Sequence, residues 1–303
     1  MIGAIDIGGT KIALGLYDES GGLWEKDVIP TQAQSGANSA VIRIAKSIYD
    51  IANRSGGSLE GIGIGCTGPV YPRQGTVGNT DLLPGWEGFN LVSAVEKALN
   101  TRAFLENDAD AAALGEWAWG VGSESRSFLL VTIGTGIGAG IILDGELYRG
   151  VDGSHPEIGH HFIDPSGPAC ACGGHGCWES LASGPAMEAW ARAQHPQKFQ
   201  RNARELCHAA EAGDEIAIKA VEREAYYLGI GIANLVTTFS PDVIALTGGV
   251  MSSQHLFIPK IRAMTDKMTG YVPHEQVNII AVPDNVDAGL RGAAQVWIQN
   301  RAR

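Results

Sequence analysis

One pattern that occurs twice constrains the fold most. Residues 2–7 form an apolar, β-branched run that breaks at Gly8-Gly9-Thr10 and resumes as an alternating run to Leu16 and Tyr17. Residues 128–132 form a second such run, which breaks over 134–140, a stretch with glycine at alternate positions, and resumes at 141–143. Each opening begins a block that later alternates helix and strand. The chain therefore reads as two related α/β units rather than one domain with an appendage. Gly120, Gly122, Ser123 and Ser125 cluster between them. This predicts a first domain over 1–120 and a second over 121–286.

Periodicity fills in the blocks. Gly21-Gly22 is a turn and 23–30 is extended, giving an antiparallel three-stranded start. Helical spacing covers 38–54, 90–99, 108–119, 184–195, 201–211, 213–237, 253–268 and 287–299. Short buried strands are expected at 61–65, 103–105, 243–246 and 277–280.

Composition sets outer limits. The chain has 303 residues, 45% of them apolar and 18% charged, which suits a globular protein with a sizeable core. Its formal charge of −11 argues against a nucleic-acid-binding surface. It does not exclude phosphate ligands, because backbone amides bind phosphate on acidic proteins too. No apolar run approaches the ~20 residues of a membrane span. The N-terminus has neither a basic n-region nor an apolar h-region, so a cytoplasmic location is expected. The 41 glycines are double the usual share of ~7% and follow no repeat, so they must be explained by position.

Three glycine turns could face a nucleotide. Asp6-Ile7-Gly8-Gly9-Thr10-Lys11 ends a strand in an acid and then exposes amides in a tight turn. Such a turn can approach phosphate while Asp6 holds hydrated Mg²⁺. It fits neither a Walker A nor a Rossmann fingerprint, and an ordinary glycine hairpin is the plain alternative. Gly134-Thr135-Gly136 with Gly138 reads as a second phosphate turn. Gly248-Gly249, after a buried strand, either covers an adenine face or simply joins strand to helix. In Glu106-Asn107-Asp108-Ala109-Asp110, either Asn107 or Asp108 can cap the following helix. An Asp fixed at that point can also take a proton from a hydroxyl attacking a phosphoryl group. Asp110 is expected to be solvated on the same helix.

Of five cysteines, Cys170, Cys172 and Cys177 fall within eight residues. With no leader segment this is no disulfide framework. Three thiolates and one imidazole form a closed tetrahedral set for structural Zn²⁺. His160 and His175 compete for the fourth position, and His161 is expected to be exposed. Cys66 and Cys207 read as unremarkable thiols.

Together these residues resemble the ROK sugar kinases, a family of the actin-like ATPase superfamily. The resemblance spans nearly the whole chain. It rests on 6–11, Thr67-Gly68-Pro69, Asn107-Asp108, 134–140, Glu157-x-Gly159-His160, the Cys-x-Cys-Gly-x-x-Gly-Cys-x-Glu run at 170–179, and Gly248-Gly249. It implies an α/β fold of two ribonuclease H-like domains with a cleft between them. It implies that ATP–Mg²⁺ is held by Asp6, Gly8, Gly9, Thr10, Lys11, Gly134, Thr135, Gly136, Gly138, Gly248 and Gly249. Asp108 is the implied catalytic base toward the 6-hydroxyl of a hexose. Thr67, Gly68, Asn107, Glu157, His160 and Glu179 are the implied sugar contacts. The implied zinc ligands are His160, Cys170, Cys172 and Cys177, in a loop over 160–177. The C-terminal segment 287–303 is implied to pack back on the first domain, and a homodimer is expected.

Two departures bear on the sugar. His155-Pro156 stands where many relatives have Ala-Gly. Cys66-Thr67-Gly68-Pro69-Val70 is closer to N-acetylmannosamine kinases than to glucokinases, while Leu83-Pro84-Gly85-Trp86 resembles the glucokinase substrate segment and 181–185 the fructokinases. Glucose is the expected substrate, followed by N-acetylmannosamine or N-acetylglucosamine and then fructose. The family also contains sugar-responsive repressors, which carry a helix-turn-helix domain ahead of the first strand. Here that strand begins at residue 2, which disfavours a repressor.

Overall fold

The computed structural model describes residues 1–196, 200–282 and 287–302. The end of the expected second domain, 283–286, and the last residue of the expected C-terminal segment, 303, lie outside the described residues.

The chain opens with β1 (Ile2–Ile7), β2 (Lys11–Tyr17) and β3 (Leu23–Pro30), paired antiparallel with Ile5 opposite Leu14. Next come α1 (Ala37–Ser55), β4 (Gly61–Cys66), a small hairpin of β5 (Val70–Tyr71) and β6 (Thr76–Val77), α2 (Leu91–Leu99) and β7 (Ala103–Asn107). Among the described residues, the first sheet has the order β3-β2-β1-β4-β7, with β4 parallel to both β1 and β7. α1 buries Val41, Ile44, Ile48 and Ile51, a stripe at helical spacing. It ends where Gly56 turns left-handed and its N–H bonds Ala52 O at 3.0 Å.

The second half contains α3 (Asp108–Trp119), β8 (Phe128–Ile133), β9 (Ile137–Leu143), β10 (Glu146–Leu147), α4 (Trp178–Ala182), α5 (Gly184–Gln194) and α6 (Ala203–Glu211). It continues through α7 (Glu215–Phe239), β11 (Val243–Thr247), α8 (Gln254–Met268), β12 (Asn278–Ala281) and α9 (Ala288–Asn300). Its sheet runs β10-β9-β8-β11-β12, so the antiparallel start and parallel continuation of the first sheet recur. α7 begins after Asp214, whose carboxylate accepts from Ile216 N and Ala217 N.

One expected boundary moves. β9 begins at 137 and not at 141, so the second glycine turn is only 134–136. Gly138 and Gly140 lie inside this strand. A Cβ on Gly140 would stand 2.3 Å from Ala113 Cβ, and one on Gly138 would stand 3.5 Å from Ala109 Cβ. Gly140 leaves room for α3 to lie on the sheet, whereas a Cβ on Gly138 would make only an ordinary contact with it.

The last helix joins both halves. Leu290, Ala293 and Trp297 of α9 pack with Ile2 and Ala4 of β1. A Cβ on Gly63 would stand 1.7 Å from Ala293 O, so the glycine alternation of β4 is a seat for α9. α3 and α9 meet where a Cβ on Gly292 would fall 1.9 Å from Ala111 O. α3 also buries Ala111 and Leu114 with Phe128, Leu130 and Ile142 of the second sheet. No helix among the described residues is long and apolar enough to cross a membrane.

Candidate active site

The end of β7 and the start of α3 carry the central residues. Asn107 is the N-cap, and its side-chain oxygen accepts from Ala109 N at 2.9 Å and from Asp110 N at 3.3 Å. Capping is therefore the work of Asn107, which leaves the Asp108 carboxylate for other use. Asp108 accepts from Ala109 N at 2.9 Å and from the Thr67 hydroxyl. Burial pushes its carboxyl above the ordinary range, against the effect of these bonds. A carboxylate so placed is a stronger base than a solvated one. Thr67 follows β4, and its N–H is tied to Ile7 O at 2.9 Å. Gly68 approaches Asn107 so closely that a Cβ would stand 2.9 Å from Asn107 Nδ2.

Asp6 lies beside Asp108. Burial, then the charges of Asp108 and Asp287, push Asp6 up to about 7, and Lys11 offsets this only in part. The first turn of α9 also reaches here, since a Cβ on Gly289 would stand 2.5 Å from Asp6 Oδ2. A half-buried acid with this surplus of negative neighbours fits a divalent cation at Asp6.

The first glycine turn follows Asp6 directly, and the other two lie together in the second half of the chain. In the first, Gly8 N bonds Lys11 O at 3.0 Å, and the Thr31 hydroxyl donates to Gly8 O at 2.6 Å. Leu82 lies over Gly9, while Thr10 and Lys11 are exposed. In the second, Gly134 N bonds Gly136 O at 3.0 Å, and Thr135 is exposed. The Gly248-Gly249 turn lies beside it. Gly248 has φ +100°, and a Cβ there would stand 2.4 Å from Ile133 O, so only glycine fits.

A cavity of about 570 Å³ lies next to Asn107. One wall is the β5–β6 hairpin from Pro69 to Gln74, and the other is the segment from Val151 to Glu157. Of the expected sugar contacts, Asn107 and Glu157 line it, and so does His155. Glu179 reaches the second glycine turn: its Oε2 accepts from Ile137 N at 2.9 Å, and a Cβ on Gly136 would stand 2.3 Å from it. Leu83 and Trp86 are core residues, with Trp86 Nε1 donating to Ala33 O at 3.2 Å.

Two expectations fail here. Asp110 is not solvated. It is fully buried, paired with Arg149 and 2.9 Å from His155 Nδ1. Arg149 also pairs with Glu106, whose carboxyl burial pushes up to about 7 against the pull of that guanidinium. His161 is not a solvated side chain either. Its Nδ1 meets Ile158 O at 2.5 Å, its Nε2 meets Asn234 of α7 at 3.3 Å, and its ring packs on Trp178. No spacing in the sequence links Glu106 and Asp110 to Arg149 and His155, because the tie runs between separate segments of the fold.

His160, Cys170, Cys172 and Cys177 bring four ligand atoms within 4.8 Å of one another. Cys170 Sγ lies 3.5 Å from His160 Nδ1, and Cys172 Sγ lies 3.5 Å from Cys177 Sγ. Tetrahedral Zn²⁺ with thiolate and imidazole ligands needs edges of roughly 3.5–3.8 Å. The donor set and its spacing therefore fit zinc. Nδ1 faces the sulfurs, which leaves Nε2 of His160 for another partner. His175 is exposed and outside the set.

The family model for the ROK family matches residues 2–300. The chain belongs to the ROK family. Its ROK relatives include a glucokinase of Thermotoga maritima, 31% identical over 96% of this chain and 95% of that protein. A ROK hexokinase from Thermus thermophilus superposes with a TM-score of 0.86, is 34% identical, and is matched over 100% of this chain and 99% of its own. A ROK glucokinase from Streptomyces griseus, solved with glucose and AMPPNP, gives a TM-score of 0.83 at 31% identity, with 99% of each chain covered. The expected fold of two actin-like α/β domains is thus the fold of this chain.

Proposed function

We propose that this ROK protein transfers the γ-phosphoryl group of ATP to the 6-hydroxyl of a hexose, with glucose as its preferred sugar. The observation that carries the reading is Asp108. It is a half-buried carboxylate at the first turn of α3, not consumed by capping, next in the chain to the cavity-lining Asn107 and beside Asp6. The glucokinase relatives, one of them solved with glucose and an ATP analogue, support the same donor and acceptor.

In this reading the sugar lies in the cavity beside Asn107 and Glu157, with Thr67, Gly68, His160 and Glu179 completing its surroundings. The 6-hydroxyl oxygen attacks the γ-phosphorus, the bond to ADP breaks, and Asp108 takes the hydroxyl proton. The turns Gly8-Gly9-Thr10-Lys11 and Gly134-Thr135-Gly136, each closed by the N–H of its first glycine, border the phosphates, while Gly248-Gly249 borders the base. Asp6 would hold Mg²⁺, which would supply charge neutralisation to the phosphates. Zn²⁺ on His160, Cys170, Cys172 and Cys177 is structural, and its ligands orient the residues that border the sugar. A cytoplasmic homodimer belongs to the same proposal, and light scattering tests the dimer.

A coupled ADP-release assay across glucose, mannose, fructose, N-acetylglucosamine and N-acetylmannosamine tests the reading. The highest kcat/KM is expected for glucose. Absence of sugar-dependent ADP release with every one of them would defeat it.

A further inference from the structure

Glu106, Asp110, Arg149 and His155 form a buried charge cluster that the transfer chemistry does not use. Glu106 closes β7 and Asp110 lies in the first turn of α3, so both are fixed by regular structure. Arg149 and His155 follow β10, in an irregular segment that ends at Glu157. Within that segment Gly150 N bonds Ser154 O at 2.8 Å, and Asp152 takes a left-handed φ of 55°.

The guanidinium of Arg149 bridges Glu106 and Asp110, and His155 Nδ1 lies 2.9 Å from the same Asp110 oxygen. The Asp110 side chain is 0% exposed and that of His155 12%. A carboxylate so far from water persists only beside matching charge, and both cations come from one short segment. That segment is one wall of the cavity, while Asn107 and Asp108 share the helix turn with Asp110. The two sides of the site are therefore pinned to each other at Asp110.

We infer that His155 is a positioning residue: seated on Asp110, it holds the Glu157 segment against the catalytic turn of α3 and so fixes the width of the sugar cavity. This rests on the kinase reading above. The charge of His155 also reaches Asp108, where it acts against the upward push of burial.

The test uses wild type, His155→Ala, His155→Gln and the double variant His155→Ala with Asp110→Asn. Sugar and ATP are varied separately, and thermal unfolding is followed alongside. Displacing a substrate-contacting wall by about 1 Å can cost on the order of 100-fold. His155→Ala is expected to lower kcat/KM for glucose about 10- to 100-fold while KM for ATP stays within about twofold. The fold should survive, because Arg149 still pairs with Asp110. The amide of Gln can donate to Asp110 from nearly the same place, so His155→Gln should recover much of the loss. Asp110→Asn in the His155→Ala background also removes the Arg149–Asp110 pair, the second tie of the same segment, and should lower kcat/KM for glucose further. The inference is overturned if His155→Ala keeps kcat/KM for glucose within about twofold, if Gln recovers nothing over Ala, or if KM for ATP rises in step. A wild type without sugar-dependent turnover would instead sink the kinase reading, and this inference with it.

Discussion

Asp108→Asn separates proton transfer from binding at this site. The amide oxygen of the introduced side chain can still accept from Ala109 N, the 2.9 Å bond that orients Asp108, so the helix start should keep its shape. Asn107 remains the N-cap, and its two bonds to the helix start are untouched by the change. Only the ability to take a proton is lost. General-base catalysis is worth about 10²–10⁴ in rate, or about 2.7–5.4 kcal/mol of transition-state stabilisation. The expected outcome is a fall of that size in kcat with glucose affinity, read by calorimetry, within about threefold of wild type. The pH profile adds a second readout. Burial raises the Asp108 carboxyl, so it is protonated, and useless as a base, up to a higher pH than a solvated Asp. The acid limb of kcat/KM should therefore sit above the ordinary carboxylate range and vanish in the variant. Turnover within about threefold of wild type would refute the assignment of the base.

Three further outcomes follow from the same structure. Metal analysis should find about one zinc per folded chain, and Cys172→Ala should lose it together with at least about tenfold in KM for glucose; an active preparation without zinc would defeat the structural site. Glu224, inside α7, is fully buried with neither carboxylate oxygen hydrogen-bonded among the described residues, and burial raises it well above the ordinary range. The native state then binds a proton that the unfolded state has released, so stability is full below the unfolded carboxylate range and falls by about 1.4 kcal/mol per pH unit above it until the buried group ionises. Urea unfolding from about pH 5 to 8 should show this slope reduced in Glu224→Gln, and parallel curves for the two proteins would show the reasoning to be mistaken. Gly63→Ala would place a Cβ 1.7 Å from Ala293 O, a backbone atom that cannot yield without moving α9. Overpacking of this kind costs about 1–3 kcal/mol or more, and an unchanged Tm would contradict the seating of α9 on β4.

Much of the fold is legible from spacing alone. The start of α1 and the ends of α2 and α8 fall within a residue or two of the spacing-based expectation, because each presents an apolar stripe to a sheet. The glycine-rich stretch after β8 is harder. A glycine that opens a turn and a glycine that clears space for a helix look alike in one dimension. Gly134 and Gly136 belong to the first kind, and Gly140 to the second. The zinc ligands are legible because three of them lie within eight residues, although spacing alone leaves His160 and His175 open; the resemblance points to His160, and the folded arrangement brings His160 into the set.

The sequence by itself determined the two-block α/β plan, the strand-turn units and the thiolate set. All of these are local: each depends on residues a few positions apart, whose geometry follows from backbone preference and side-chain chemistry. Tertiary structure alone decided that α9 closes both sheets, that Glu179 reaches the second glycine turn, and that Asp110 is buried between Arg149 and His155. Those contacts join segments tens of residues apart or more. An isolated Asp on a helix is ordinarily solvated; this one is not, because another part of the chain brings two cations to it and excludes the water.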